Sequence, residues 1–248
     1  TIGNKQIKIR PTYLVSENAA GKNFYSNFSY NLIKIMTIYL STTLFIIFLY
    51  SLINIRLLDA FNLSLTTISS GGFISSNYLS DIITNELQVF ILALTLLLPT
   101  INFYLLFNVF TKKFKFNNHQ EDLHLISLIL FLTLFFYFLI IPREGFFNVF
   151  LAMTSSISNS GISIYSSGLD ISFFLLLLTI VGGSLISTSS GFKYVRLYIL
   201  LKISYNEIYR IVKPTNISNI NLFNTESKIE DNDFKISFLV FILFIISI

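Results

Sequence analysis

Two short clusters of hydroxyl and glycine residues carry most of the chemistry this sequence offers. Ser69-Ser70-Gly71-Gly72 and Ser158-Asn159-Ser160-Gly161 follow runs of apolar and hydroxyl residues at 57–68 and 146–157. Glycine at 72 and 161 permits backbone angles that other residues resist, and that freedom lets consecutive carbonyls face the same way. Inward carbonyls replace the hydration shell of a monovalent cation. A divalent cation asks for carboxylates, and neither cluster contains one. Structural turns and helix-packing motifs draw on the same residue types. In a third cluster, Gly182-Gly183 stops an apolar run, and Ser184, Ser187, Thr188, Ser189 and Ser190 offer hydrogen bonds to backbone released at membrane depth. The alternative there is a plain helix end near the cytoplasm. Lys193 and Arg196 are then either cytoplasmic anchors or contacts between this loop and a regulator.

These clusters need spans to hold them, and the composition supplies spans. Only 12% of the 248 residues are charged and 53% are hydrophobic, against about a quarter charged in a soluble domain. That is too little charge to cover a soluble globular enzyme. The absence of cysteine removes disulfide frameworks, cysteine zinc sites and thiol nucleophiles. Long apolar stretches occupy 35–53, 87–110, 123–141 and 171–186. The first three suffice for a hydrocarbon core of about 30 Å; the fourth spans only with help from the polar and glycine residues after it. The run 234–248 is about five residues short of a span, so the sequence reads as an interior piece of a longer membrane protein. The runs ahead of the two Ser/Gly clusters reach about 18 Å as helices and cannot cross.

Charge decides what those short runs do. Loops 1–34, 111–122 and 191–235 hold fifteen of the seventeen Lys and Arg residues. Loops 54–86 and 142–170 hold only Arg56 and Arg143, beside Asp59, Asp81, Glu86, Glu144 and Asp170. Basic loops stay in the cytoplasm, and three of them share a side only if an even number of crossings separates each pair. The short runs therefore dip in from outside and return. Tyr78, Tyr104, Tyr165, Tyr194 and Tyr198 fall near the predicted interfaces and read as anchors.

Shifting the chain by 89 residues superimposes its halves. Leu58-Asp59-Ala60-Phe61 falls on Phe147-Asn148-Val149-Phe150, and Thr66-Thr67-Ile68-Ser69-Ser70-Gly71-Gly72 falls on Ser155-Ser156-Ile157-Ser158-Asn159-Ser160-Gly161. Lys34 falls on Leu123. Each unit is a span, a short re-entrant helix, a glycine-containing turn and a span, so an all-α membrane protein of tandem repeats is expected. Membrane repeats often place a site at their interface.

In the order and spacing of these motifs the chain resembles the Trk/Ktr/HKT superfamily of potassium transporters, and within it the bacterial Trk-type uptake subunit. The likeness rests on 58–78 (LDAFNLSLTTISSGGFISSNY), Ile101-Asn102-Phe103, 146–163 (FFNVFLAMTSSISNSGIS) and 182–196 (GGSLISTSSGFKYVR), continuing to Lys213-Pro214. It covers nearly the whole chain. The resemblance implies a potassium-channel-like pore of four M1–P–M2 repeats (span, pore helix with filter turn, span). Of these, 34–122 is the second and 123–211 the third; 1–33 is a cytoplasmic connector, and 212–248 is a connector leading into the next M1. It implies that backbone carbonyls of Ser70, Gly71, Gly72, Asn159, Ser160 and Gly161 bind potassium, with Phe73 and Ile162 completing the turns. It implies an intramembrane gate at 183–191, made by Gly183, Ser184, Ser187, Thr188, Ser189, Ser190 and Gly191, followed by Lys193 and Arg196. Potassium is then the transported ion, and the chain itself binds no cofactor. The implied partners are a second copy of the chain, a cytoplasmic regulatory subunit with nucleotide-binding domains, and the bilayer of a bacterial inner membrane crossed several times; nucleic acid is not among them. Two places depart from the family. Ser158-Asn159-Ser160-Gly161-Ile162 stands where Thr-Thr-x-Gly-Phe is usual, and Ile186, Ser189 and Ser190 occupy positions that are often glycine.

Other constellations carry less. His119, Glu121, Asp122 and His124 read as a solvated polar loop. No span carries His in its interior and Lys193 sits at the cytoplasmic edge, so a serine nucleophile lacks a partner and the chain is not expected to be an enzyme. Without a Gly-Lys-Ser/Thr or dinucleotide fingerprint, nucleotide control would come from another subunit. Asn102 and Pro99 within the second span are expected to face the interior. Two rival readings stay open: a sodium transporter of the same superfamily, and a non-transporting membrane scaffold.

Overall fold

The computed structural model describes residues 28–110, 119–139, 145–163, 171–212, 222–223, 229 and 231–247. The regular elements among them are helical: α1 (Phe28–Leu52), α2 (Leu57–Ser69), α3 (Glu86–Leu97), α4 (Phe103–Phe110), α5 (Gln120–Leu139), α6 (Phe146–Ser158), α7 (Ser172–Val181), α8 (Tyr194–Val212) and α9 (Asp231–Ser247). Tyr165, most of the connector 1–33 and much of 212–230 lie outside the described residues. The segments Leu32–Leu52 and Gln120–Phe138 are long and apolar enough to cross a membrane. Leu40, Leu44 and Phe48 on α1 and Phe131 and Phe138 on α5 are exposed, giving an apolar face that water does not stabilise.

The two short helices have matching bounds. α2 and α6 are 13 residues each, about 20 Å long, and therefore too short to cross. α2 carries Asp59 in its first turn, where the helix dipole favours an anion. Both helices stop in the same way. Ser70 (φ 55°, ψ 32°) and Asn159 (φ 60°, ψ 25°) take the left-handed conformation, the usual manner of ending a helix, although neither is glycine.

The second and fourth apolar stretches do not form the spans expected of them. The stretch 87–110 is two helices. Asn85 and Gln88 start α3 with a reciprocal capping box. A 3₁₀ turn at Leu98–Thr100 contains Pro99 and ends it, because proline removes a helical N–H. Ile101 is extended, and Asn102 Oδ1 accepts the Tyr104 N–H at 2.9 Å to start α4. Hydropathy does not register this break, since its residues are themselves apolar or neutral. The stretch 171–186 is helical only to Val181, where Gly182 (φ 66°, ψ −175°) turns the chain through a region open essentially to glycine alone.

Packing joins the two halves. α3, α5 and α7 surround α6, while α1 and α3 flank α2. Phe90 of α3 lies 5.2 Å from Phe147 of α6 between ring centroids. Leu92, Leu96, Leu151 and Met153 are buried in the resulting core. Tyr50 of α1 and Thr95 of α3 share a buried hydrogen bond at 2.6 Å.

Candidate functional site

The turns after α2 and α6 are built alike, bond for bond. In the first, Ser70 N–H donates to Thr67 O at 3.3 Å and Gly71 N–H to Thr66 O at 3.0 Å. In the second, Asn159 N–H donates to Ser156 O at 3.1 Å and Ser160 N–H to Ser155 O at 3.1 Å. Gly72 (φ 74°) and Gly161 (φ 67°) return to the left-handed region, whereas Gly71 and Ser160 between the two left-handed residues do not. Alternating backbone hand of this kind turns successive peptide groups to one side. The turns also meet. A Cβ on Gly72 would clash with the Ser160 carbonyl oxygen, so only glycine allows this approach. Ser70 Oγ and Asn159 Nδ2, 89 residues apart, are both buried without a hydrogen-bond partner.

The bracing around each turn differs. Thr66 Oγ1 accepts the Phe73 N–H at 2.7 Å, and Phe73 is 83% exposed. It stands over an open groove of about 400 Å³ that Asn62, Thr66 and Ser75 also line. Around the second turn, Ser158 and Ser155 both lie 3.1 Å from Ser160 Oγ in a buried hydroxyl triad, and Ile162 is 4% exposed.

The third cluster forms a knot against the break at 98–102. Ser184 N–H donates to Thr100 O at 2.8 Å, Ser189 N–H to Pro99 O at 3.1 Å, and Phe103 N–H to Ile186 O at 3.0 Å. Thr188 Oγ1 donates to Ile68 O at 2.8 Å in the last turn of α2, which ties the loop to the base of the first turn. Within the loop, Gly183 N–H donates to Ser189 Oγ at 2.9 Å and Ser187 Oγ to Ser184 O at 2.6 Å. Glycine is required by closeness. A Cβ on Gly183 would press on Ser189 Oγ and the Thr100 backbone, one on Gly182 on Ser190 O, and one on Gly191 would lie 2.9 Å from Gly182 Cα. Ser190 is exposed, and Arg196 is half-buried in the first turn of α8. Lys193 (φ 78°) folds back, and its Nζ donates to Ser187 Oγ at 3.1 Å and Ser187 O at 3.3 Å and also to Ser189 O. Its ammonium thus sits among loop carbonyls.

The fold has a known counterpart. The crystal structure of the potassium transporter TrkH from Vibrio parahaemolyticus superposes with a TM-score of 0.74 at 21% sequence identity, over 93% of this chain and 50% of that one. The two share a fold. This chain spans half the length of that transporter. No family model matches the sequence, and no curated protein does.

Sequence reasoning missed one part of the site. His119, Glu121 and Asp122 are buried and do not form a solvated loop. α5 begins at Gln120, so its acidic first turn lies under the loop: Glu121 Oε1 accepts the Leu185 N–H at 2.9 Å, and Asp122 Oδ1 accepts the Asn102 N–H at 2.9 Å. Pro99 and Thr188, equivalent positions under the 89-residue shift, also meet at the knot, with Thr188 Oγ1 3.4 Å from Pro99 O. Tyr198 and Tyr194 stack on Phe223, with ring centroids 4.2 and 6.1 Å away.

Proposed function

We propose that this chain is half of a four-repeat potassium pore, comprising the M1–P–M2 units 34–122 and 123–211. α2 and α6 act as pore helices. Ser70, Gly71 and Gly72 with Asn159, Ser160 and Gly161 offer the carbonyls at which potassium sheds water. The observation that carries this reading is the pair of equivalent turns: each has the same alternation of backbone hand, and they meet where Gly72 lies against Ser160. A lining without carboxylates suits a monovalent ion, and the shared fold with a potassium transporter favours potassium. The remaining two repeats would cover the groove beside α2. Loop 183–191 forms the gate beneath the turns, held through Thr188 to the Ile68 carbonyl and closed on itself by Lys193. The chain works in a bacterial inner membrane with its basic loops in the cytoplasm, as a homodimer that meets nucleotide-binding regulatory subunits, and it needs no cofactor of its own.

The test is potassium uptake by an uptake-deficient strain expressing the full-length gene. The wild-type gene should restore growth on low potassium and Gly72→Ala should not. Unchanged growth with Gly72→Ala would remove the reading. Sodium uptake outpacing potassium uptake would move the assignment to sodium.

A further inference from the structure

Two neighbouring carboxylates open α5, and each holds one of the two helix breaks. Both residues are 2% exposed. Glu121 Oε1 takes the Leu185 N–H across 64 residues of sequence, while its Oε2 is buried and accepts no hydrogen bond. Asp122 takes the Asn102 N–H, and its Oδ2 lies 3.7 Å from His119 Nδ1; His119 Nε2 is 3.0 Å from Asn108 Nδ2. Lys193 lies within coulombic reach of Glu121. A buried carboxylate is costly unless fully paired. Glu121 stands beside a second carboxylate and uses Oε1 on a backbone N–H distant in sequence, so packing alone does not account for a glutamate there.

The bonds of the loop run in several directions, including one from Phe192 N–H back to Ile180 O of α7. Some join it to the break at 98–102, some to the α2 base through Thr188, and some are internal. The Leu185–Glu121 bond alone, among those described, ties it to the start of α5, where the first repeat unit gives way to the second. Asp122 ties the same turn to the start of α4. A shift of the 119–122 turn would thus pull on both breaks together.

We propose that Glu121 is a positioning residue that latches loop 182–193: its Oε1 holds the loop at Leu185, and loss of that bond frees the loop while leaving the turns at 70–72 and 159–161 in place. The idea rests on reading that loop as the gate. Its test uses the full-length protein with Leu185→Cys as a reporter, the 248 residues having no cysteine of their own. The rate of labelling by a water-soluble maleimide and the uptake of potassium are measured together. Loss of this buried bond in Glu121→Ala should speed labelling about tenfold. Glu121→Gln keeps one acceptor oxygen and should give a smaller rise, about threefold. Maximal uptake should rise in both variants while the KM for potassium stays put, because the turns are untouched. A merely structural role would lower yield and uptake instead of raising labelling. Should Glu121→Ala fail to fold, Glu121→Gln decides alone. Unchanged labelling in a folded variant overturns the latch. If the wild-type protein carries no potassium, the pore reading fails, and the labelling rates still judge the latch separately.

Discussion

The first and second turns share a backbone and differ in almost everything around it. Positions 70–72 and 159–161 have the same hydrogen bonds and the same alternation of hand. Yet Gly72 is wedged against the Ser160 carbonyl, whereas a Cβ on Gly161 would meet nothing within 4 Å. Phe73 faces the open groove, while its equivalent Ile162 is buried. α6 is enclosed by three helices, and α2 is flanked by two. Left-handed backbone is therefore a property of the motif, and glycine is needed for two separable reasons: conformation at both turns, closeness at one.

That difference can be broken by substitution. Gly72→Ala should be the most damaging change, because a Cβ there has no room and the obstacle is backbone. We expect loss of folded, detergent-stable protein along with loss of uptake. Gly161→Ala meets only the left-handed penalty, about 1–2 kcal/mol, and should yield folded protein with a lowered melting temperature. Equal tolerance of the two, read by size-exclusion profile and thermal unfolding, would show that the turns are not wedged as described.

Tyr50→Phe probes the bracing of the first unit. It removes the Tyr50–Thr95 bond while Thr95 Oγ1 keeps its bond to Leu92 O, and should cost about 0.5–1.5 kcal/mol, visible in thermal unfolding. The second unit carries Leu139 and Ser184 at the equivalent positions, so the strut belongs to the first unit alone. A neutral Tyr50→Phe would contradict that assignment.

The smallest effect concerns pH. Arg56 Nε donates to Asp59 at 2.7 Å and Ser75 Oγ donates to it at 2.6 Å; together they hold the Asp59 carboxyl below its ordinary 3.8, the Arg56 bond counting most. A carboxylate whose folded pKa is depressed adds stability above its unfolded pKa and loses it as the pH falls through the folded value. The first unit should loosen slightly below about pH 4, and Asp59→Asn should flatten that dependence. The Arg56 side chain is 84% exposed, so screening keeps the change small. Asn148 stands at the equivalent place in the second unit, which should show no such response. A pH profile unchanged by Asp59→Asn would locate the acid sensitivity elsewhere.

The sequence made the short helices legible and hid the breaks between the long ones. The expected runs 57–68 and 146–157 became Leu57–Ser69 and Phe146–Ser158, because hydroxyl and glycine residues interrupt an apolar run that is too short to span. The break at 98–102 lies inside unbroken hydropathy, and its backbone is satisfied by a loop distant in sequence, meeting Pro99 and Thr100 through Ser189 and Ser184. Glu121 and Asp122 come after a basic polar loop and read as solvated. Their burial comes from serving backbone donors at Leu185 and Asn102, and single-residue polarity carries no trace of such a partner.

Whether the two turns form one ion site is best settled by anomalous diffraction from rubidium or thallium soaked into crystals of the full-length protein. An ion peak touching backbone of both 70–72 and 159–161 is expected, and it should weaken in Gly161→Ala, the variant expected to fold. An ion carried by the protein but bound away from these turns, with the turns themselves empty, would contradict a shared site.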